Sequence, residues 1–356
     1  FAAFPPAAET AMPVQPNQNM QHGTSASFFT WNLYRRFGPD WYQKWMDYTV
    51  RRMDNCGLNT IANWSDMTLG GSHRKPYVAN ISGWATNSRT MGMPDVYASN
   101  YDSVVNASAE RQCAPRKDDP YLIGYFIGNE PIWPDRELEL VDIILKGDAT
   151  PMQTELKKFL ALGNTPDRRK TFVYDTYSKF VGKVNAAIKK HDPHHLNLGL
   201  RFGGSAAEGI IIASKKYFDV FSINIYGYSA NPAMLQRIYG IAELPIVIGE
   251  FHFGTPGKGL APGLAQTSSQ EERGVAYRYY VENAAAHPAV VGTHWFQWMD
   301  QPSTGRNDGE NYNIGFVDVT DQPYTEFINA VKETSKRLFA VHSGKEPPVT
   351  RQALTQ

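Results

Sequence analysis

The sequence predicts an α/β fold, a TIM-type (β/α)8 barrel in a single large domain, on three observations. Seven short runs rich in Val, Ile, Leu and Phe recur along the chain, each bounded by turn residues and too short for a buried helix. Segments with helical apolar spacing separate them, and strands that alternate with helices imply a parallel sheet. The 356 residues, 42% of them hydrophobic, suffice to bury one large core.

The elements follow in order. Residues 1–26 are rich in Pro, Ala, Gln and Asn with little periodicity, and read as an extended N-terminal arm or the remnant of an upstream segment. The barrel is expected over 27–345, with 346–356 as a C-terminal tail. An eightfold barrel needs a strand before the first helix, and Ser27–Leu33 is the stretch available for it. The chain opens at Phe1 without Met, which reads as a cut or processed start. After Pro39, Tyr42, Trp45, Met46, Val50, Met53 and Cys56 recur at helical spacing until Gly57 supplies the stop. Strands are expected at Leu58–Ala62, Lys75–Ile81, Leu122–Ile127, Leu196–Phe202, Val220–Tyr226, Leu244–Ile248 and Val290–Trp298. Residues 135–170 read as an insertion with one or two short helices. Tyr177, Phe180, Val181, Val184 and Ile188 mark an amphipathic helix closed by Asp192 and Pro193. Two more helices are expected at Glu271–Ala286 and Glu326–Leu338.

Barrels of this kind keep their chemistry where strands end. The run LPIVIGEFHFG, from Leu244, ends in Glu250 and His252; YLIGYFIGNEPIW, from Tyr121, ends in Asn129 and Glu130. At roughly 30 residues per strand-and-helix unit, the two glutamates lie on strands about three steps apart and can face one cleft. A glutamate among Gly249, Phe251 and Phe253 sits in apolar surroundings that need a purpose; the plainer reading is a surface side chain in a turn. Other strand ends offer Asn63, Trp64, Arg201, Tyr226 and Trp295. Trp295 either stacks on a sugar ring or packs in the core, and Tyr226 either orients Glu250 or packs. Asp308, Glu310, Asn311 and Asn313 either line the cleft or knit their loop together.

Lys+Arg and Asp+Glu balance at 35 each, so the basic footprint of a nucleic-acid binder is missing. No glycine loop of the phosphate-cradling kind precedes a helix, which argues against a nucleotide cofactor. His252 and His294 each stand alone among aromatics, a poor pattern for a metal, and no cofactor is expected. Cys56 and Cys113 read as buried thiols. No apolar run is long enough to span a membrane. Eight Trp and nineteen Tyr are many for a core alone, and carbohydrate sites use such rings as stacking platforms.

Paired glutamates with aromatic platforms point to glycoside hydrolysis, where one acid protonates the leaving oxygen and the other works at the anomeric carbon. Asn129-Glu130-Pro131 and the strand-ending Glu250 resemble the signatures of retaining hydrolases of glycoside hydrolase clan A. Within that clan, LYRRFG at Leu33, NTIANWSD at Asn59, IGEFHFG at Ile248, HWFQWMDQP at His294 and GRNDGENYNIGFVD at Gly305 are similar to the β-agarases of glycoside hydrolase family 50. Gly128, Pro131 and Trp133 depart from that family's pattern.

The resemblance implies Glu130 as acid/base, Glu250 as nucleophile, Asn129 as ligand of the sugar 2-hydroxyl and Tyr226 as the donor that orients Glu250. Asn63, Trp64, Arg201, His252 and Trp295 complete the expected substrate-binding set. The implied activity is retaining cleavage of β-galactosidic linkages in agarose or its oligosaccharides, by a secreted or periplasmic enzyme. An exo-β-galactosidase on another glycan, or a non-catalytic carbohydrate-binding barrel, are the alternatives. In those roles the acid is expected to keep its proton in an apolar cleft and the nucleophile to stay ionised beside donors.

Overall fold

The computed structural model describes residues 3–6, 9, 15–17, 23–204, 206–306 and 308–355. Within the expected N-terminal arm, β1 (Gln15–Asn17) and β2 (Gly23–Ser25) pair antiparallel. The strand expected over Ser27–Leu33 is instead a helix, α1 (Phe28–Phe37). Ser27 is in extended conformation and its side chain accepts from the Thr30 amide, an N-cap that satisfies one of the free donors of the first turn.

Helix α2 (Trp41–Cys56) buries Met46, Val50, Met53 and Cys56, the stripe its sequence spacing announced. It stops at Gly57, in the left-handed region at φ 71°. A Cβ there would also lie 2.6 Å from that of Ser335. The expected strand at Leu58–Ala62 contracts to a single parallel bridge from Ile61 to Tyr77. After the short α3 (Met67–Gly70) comes the main sheet: β3 (Tyr77–Asn80), β4 (Leu122–Asn129), β5 (Leu196–Gly203), β6 (Phe221–Asn224), β7 (Ile246–Phe251) and β8 (Val290–Trp295). Its order is sequential and every neighbouring pair is parallel, so it curls as one continuous arc.

The helices between strands are α4 (Tyr101–Cys113), α5 (Glu137–Lys146), α6 (Pro151–Leu160), α7 (Pro166–His191), α8 (Glu208–Lys215), α9 (Pro232–Ala242) and α10 (Gln270–Ala285), with α11 (Thr325–His342) last. Two apolar layers result. Val78, Phe126, Leu198 and Val247, each from a strand, and Val220, just ahead of β6, fill the concave side of the sheet. The larger core lies between the sheet's outer face and the helices. Cys56 and Cys113 are both free and buried. Among the described residues, no helix is long and apolar enough to cross a membrane.

Candidate active site

The pairing of β7 with β8 shifts register between Ile248 and Phe251, the kind of irregularity that re-aims side chains at sites. Gly249 and Glu250 consequently both face the inside of the arc, while Phe251 turns outward to stack on Tyr280 of α10. Glu250 is buried, and three donors hold it. Its Oε1 accepts from the Trp64 indole Nε1 at 2.8 Å and from Arg201 Nη2 at 2.9 Å; its Oε2 accepts from the Tyr226 hydroxyl at 2.5 Å.

Arg201 is itself only 1% exposed, and it lies over the rings of Trp64 and Phe126. Burial pulls its guanidinium below the ordinary value against the opposing attraction of Glu250. Burial, and then the charge of Glu250, push the Tyr226 phenol far up, so Tyr226 stays a donor. A buried carboxylate among a cation and two neutral donors is a charge whose desolvation is compensated.

Glu130 follows β4 with φ at 38°, in the left-handed region, which a non-glycine residue enters rarely and at a cost. Its amide donates to the Arg201 carbonyl at 2.8 Å, and its Oε1 accepts from Asn224 Nδ2 at 2.8 Å. The same amide group of Asn224 lies 3.4 Å from Asn129 Oδ1, and Asn224 is the ladder partner of Glu250. One asparagine thus ties the end of β4 to the end of β7. Both carboxylates act on Arg201 and on Tyr226. Contrary to the expectation of an apolar cleft, Glu130 is solvent-exposed. Glu250 is the one withdrawn from water. Asn63, in the loop after Ile61, has neither amide atom bonded among the described residues.

No protein-family model matches the chain. It is 31% identical to β-agarase A of Vibrio sp. (strain JT0107) over 88% of its own length and 38% of that protein's. The crystal structure of an agarase superposes with a TM-score of 0.82 at 30% identity, covering 91% of this chain and 54% of the other. That of an exo-β-agarase does so with a TM-score of 0.82 at 29% identity, covering 91% and 51%. The chain is a homologue of the β-agarases. It spans well under half the length of the curated relative and about half that of each solved agarase.

Two residues expected to touch substrate are engaged in contacts within the protein in this agarase homologue. Trp295 points out of the arc: its ring packs against Phe251, Tyr277, Phe316 and Phe327, and its Nε1 donates to the carbonyls of Gln297 and Ile314. These contacts are those of the core reading, with part of the ring still exposed. His252 is 1% exposed and has both ring nitrogens engaged. Its Nδ1 donates to the Phe296 carbonyl at 3.0 Å and its Nε2 accepts from the Leu264 amide at 2.9 Å. Burial pushes it down to about 3, so the ring is neutral, and it packs at 4.8 Å against Tyr226. It backs the ring of the tyrosine that donates to Glu250. The inward neighbour of Trp295 is His294, which burial, and then Arg201, push down to about 4.

The long loop after β8 is tied down by Arg273 of α10, which is fully buried. It donates to the carbonyls of Phe253, Ile314 and Gly315 and lies 4.1 Å over the Phe327 ring. The loop's polar side chains knit it together: Asn313 bonds Asp300, Tyr324 and Gln270, Glu310 bonds Gln301, and Asp308 bonds Arg306. Sequence reasoning left Asn224 out of the site. A lone Asn at a strand end carries no signal until its neighbour across the sheet is known.

Proposed function

We propose that this chain is the catalytic part of a secreted or periplasmic retaining β-glycoside hydrolase that cleaves β-galactosidic linkages in agarose or its oligosaccharides. The observation that carries the proposal is the pair of unlike carboxylates, Glu250 buried under three donors and Glu130 open to solvent, bridged by Asn224. The agarase relatives support the substrate class. The six-stranded parallel arc, with Ile61 extending it by a bridge, supports a (β/α)8 barrel of clan A type.

In this reading Glu250, oriented by Tyr226, Arg201 and Trp64, attacks the anomeric carbon, while Glu130 gives its proton to the departing glycosidic oxygen. Water then attacks the same carbon, its proton passes to Glu130, and the bond to Glu250 breaks. Solvent access suits a residue that first gives and then takes a proton. In the same reading Asn129 binds a sugar hydroxyl, and the half-exposed Trp64 ring offers a stacking face.

Azide tests the two roles against each other. Glu250→Gly opens a cavity on the face where the covalent bond forms, so azide and an activated β-galactoside yield the α-glycosyl azide. Glu130→Ala still forms the glycosyl-enzyme from that substrate, and azide entering from the vacated side yields the β-glycosyl azide. The reverse pattern exchanges the two assignments, and rescue in neither variant refutes the retaining mechanism. Wild-type protein that releases nothing from agarose or neoagaro-oligosaccharides refutes the agarase reading.

A further inference from the structure

We infer that Trp64 is a positioning residue whose indole N–H receives the charge returning to Glu250 when the glycosyl-enzyme is hydrolysed; this rests on Glu250 being the nucleophile. Trp64 is 53% exposed, yet its one polar atom is turned inward to Glu250 Oε1 at 2.8 Å. An exposed indole acting only as a platform has water for its N–H. The orientation is also held at a cost, since Trp64 stands at φ 65°, a genuine outlier for so bulky a residue. The next turn fixes it: Asp66 caps α3 through the Thr68 amide and accepts from the Tyr42 hydroxyl at 2.7 Å. On its other side the indole lies against the Arg201 guanidinium at 5.6 Å.

The two chemical steps use this donor differently. In the first, a Glu250 oxygen bonds to the anomeric carbon, the bond to the leaving oxygen breaks, and that oxygen takes the Glu130 proton. The carboxylate loses charge, so a donor aimed at it hinders. In the second, a water oxygen bonds to the same carbon, its proton goes to Glu130, and the electron pair of the ester bond returns to Glu250. Charge now develops where the N–H already points, and a preorganised donor lowers that barrier. Trp64 therefore favours deglycosylation over glycosylation.

Trp64→Phe keeps the ring and removes the N–H. With an agaro-oligosaccharide, the expected result is kcat lower by about tenfold, the order of one hydrogen bond to a charged group. KM falls with it, and a covalent adduct on Glu250 accumulates severalfold above wild type in the intact-mass spectrum. Replacing the indole nitrogen by sulfur, which preserves the ring's shape, gives the same signature without any change in packing. Trp64→Ala, which also loses the stacking face, raises KM instead. Either N–H-deficient variant showing wild-type kcat, KM and adduct level overturns the inference alone, and so does a fall in kcat with raised KM and no adduct. Wild-type protein that neither turns over nor forms an adduct on Glu250 overturns the nucleophile reading beneath it.

Discussion

Gly249→Ala is the smallest change that should disable this site, although it adds one methyl group to a residue with no functional group. A Cβ built at Gly249 would lie 2.6 Å from Asn224 Oδ1, 2.8 Å from Ser222 Oγ and 3.0 Å from Arg201 Nε. Asn224, Ser222 and Arg201 are each at most 1% exposed, so they have little room to retreat. Overpacking of this kind costs about 1–3 kcal/mol of stability, which a protein of this size survives. The functional cost is larger, because the displaced side chains are those that hold Glu130 and Glu250. At about 1.5–3 kcal/mol per hydrogen bond to a charged group, losing both lowers kcat/KM by roughly 10²–10⁴-fold. The assay is steady-state hydrolysis of an agaro-oligosaccharide beside urea unfolding of the same preparation. A folded Gly249→Ala protein with kcat/KM within about threefold of wild type would show that the Asn224 and Arg201 contacts do not govern the carboxylates.

Three further outcomes are expected. Tyr226→Phe removes the donor at Glu250 Oε2 and should lower kcat by about 10–100-fold with little change in thermal stability; unchanged kinetics would make the tyrosine a packing residue. Trp295→Ala should cost about 3 kcal/mol or more of stability by urea titration, since its ring fills the space between β8 and helices α10 and α11; an equally stable but inactive variant would restore the sugar-stacking role. His252 and His294 are held neutral, pushed down to about 3 and about 4, whereas unfolded histidine takes up a proton near about 6.5. The unfolded chain therefore binds protons first, so their stabilisation is complete above that pH and declines as pH falls below it. Unfolding free energies that match at pH about 8 and about 5, a range above most carboxylate titrations, would refute this.

The parallel sheet was legible because buried strands read as near-continuous apolar runs, and β4 and β7 announce themselves so. Ser27–Leu33 misleads because Phe28, Phe29, Trp31 and Leu33 suit a strand or a helix, and the deciding atom is the Ser27 oxygen on the Thr30 amide. Helix α4 escaped notice because its buried positions include Ser108 and Ala109, which carry little apolar signal. At the site, both glutamates stood out as acids ending apolar runs. The direction of Trp295 was also within reach. Side chains alternate along a strand, so of the adjacent pair His294 and Trp295 only one can face inward. What no single strand reveals is the register between strands. Asn224 beside Glu250, and the irregularity that turns both Gly249 and Glu250 inward, exist only once the strands are paired.

The grip of Arg273 bears on how a scaffold of this kind can change its taste without refolding. Of the bonds that anchor the loop after β8, those from Arg273 end on the carbonyls of Ile314 and Gly315, atoms that every amino acid supplies. The anchor is therefore blind to sequence, and the stretch from Pro302 to Tyr312 can be exchanged for that of a relative as a cassette. A longer exchange meets one closed position. A side chain at Gly315 would stand 2.3 Å from both the Asp300 nitrogen and the Val317 oxygen, so every viable transplant keeps that glycine. Selection, natural or in the laboratory, thus has a segment in which to search, with the mooring already provided by the rest of the fold.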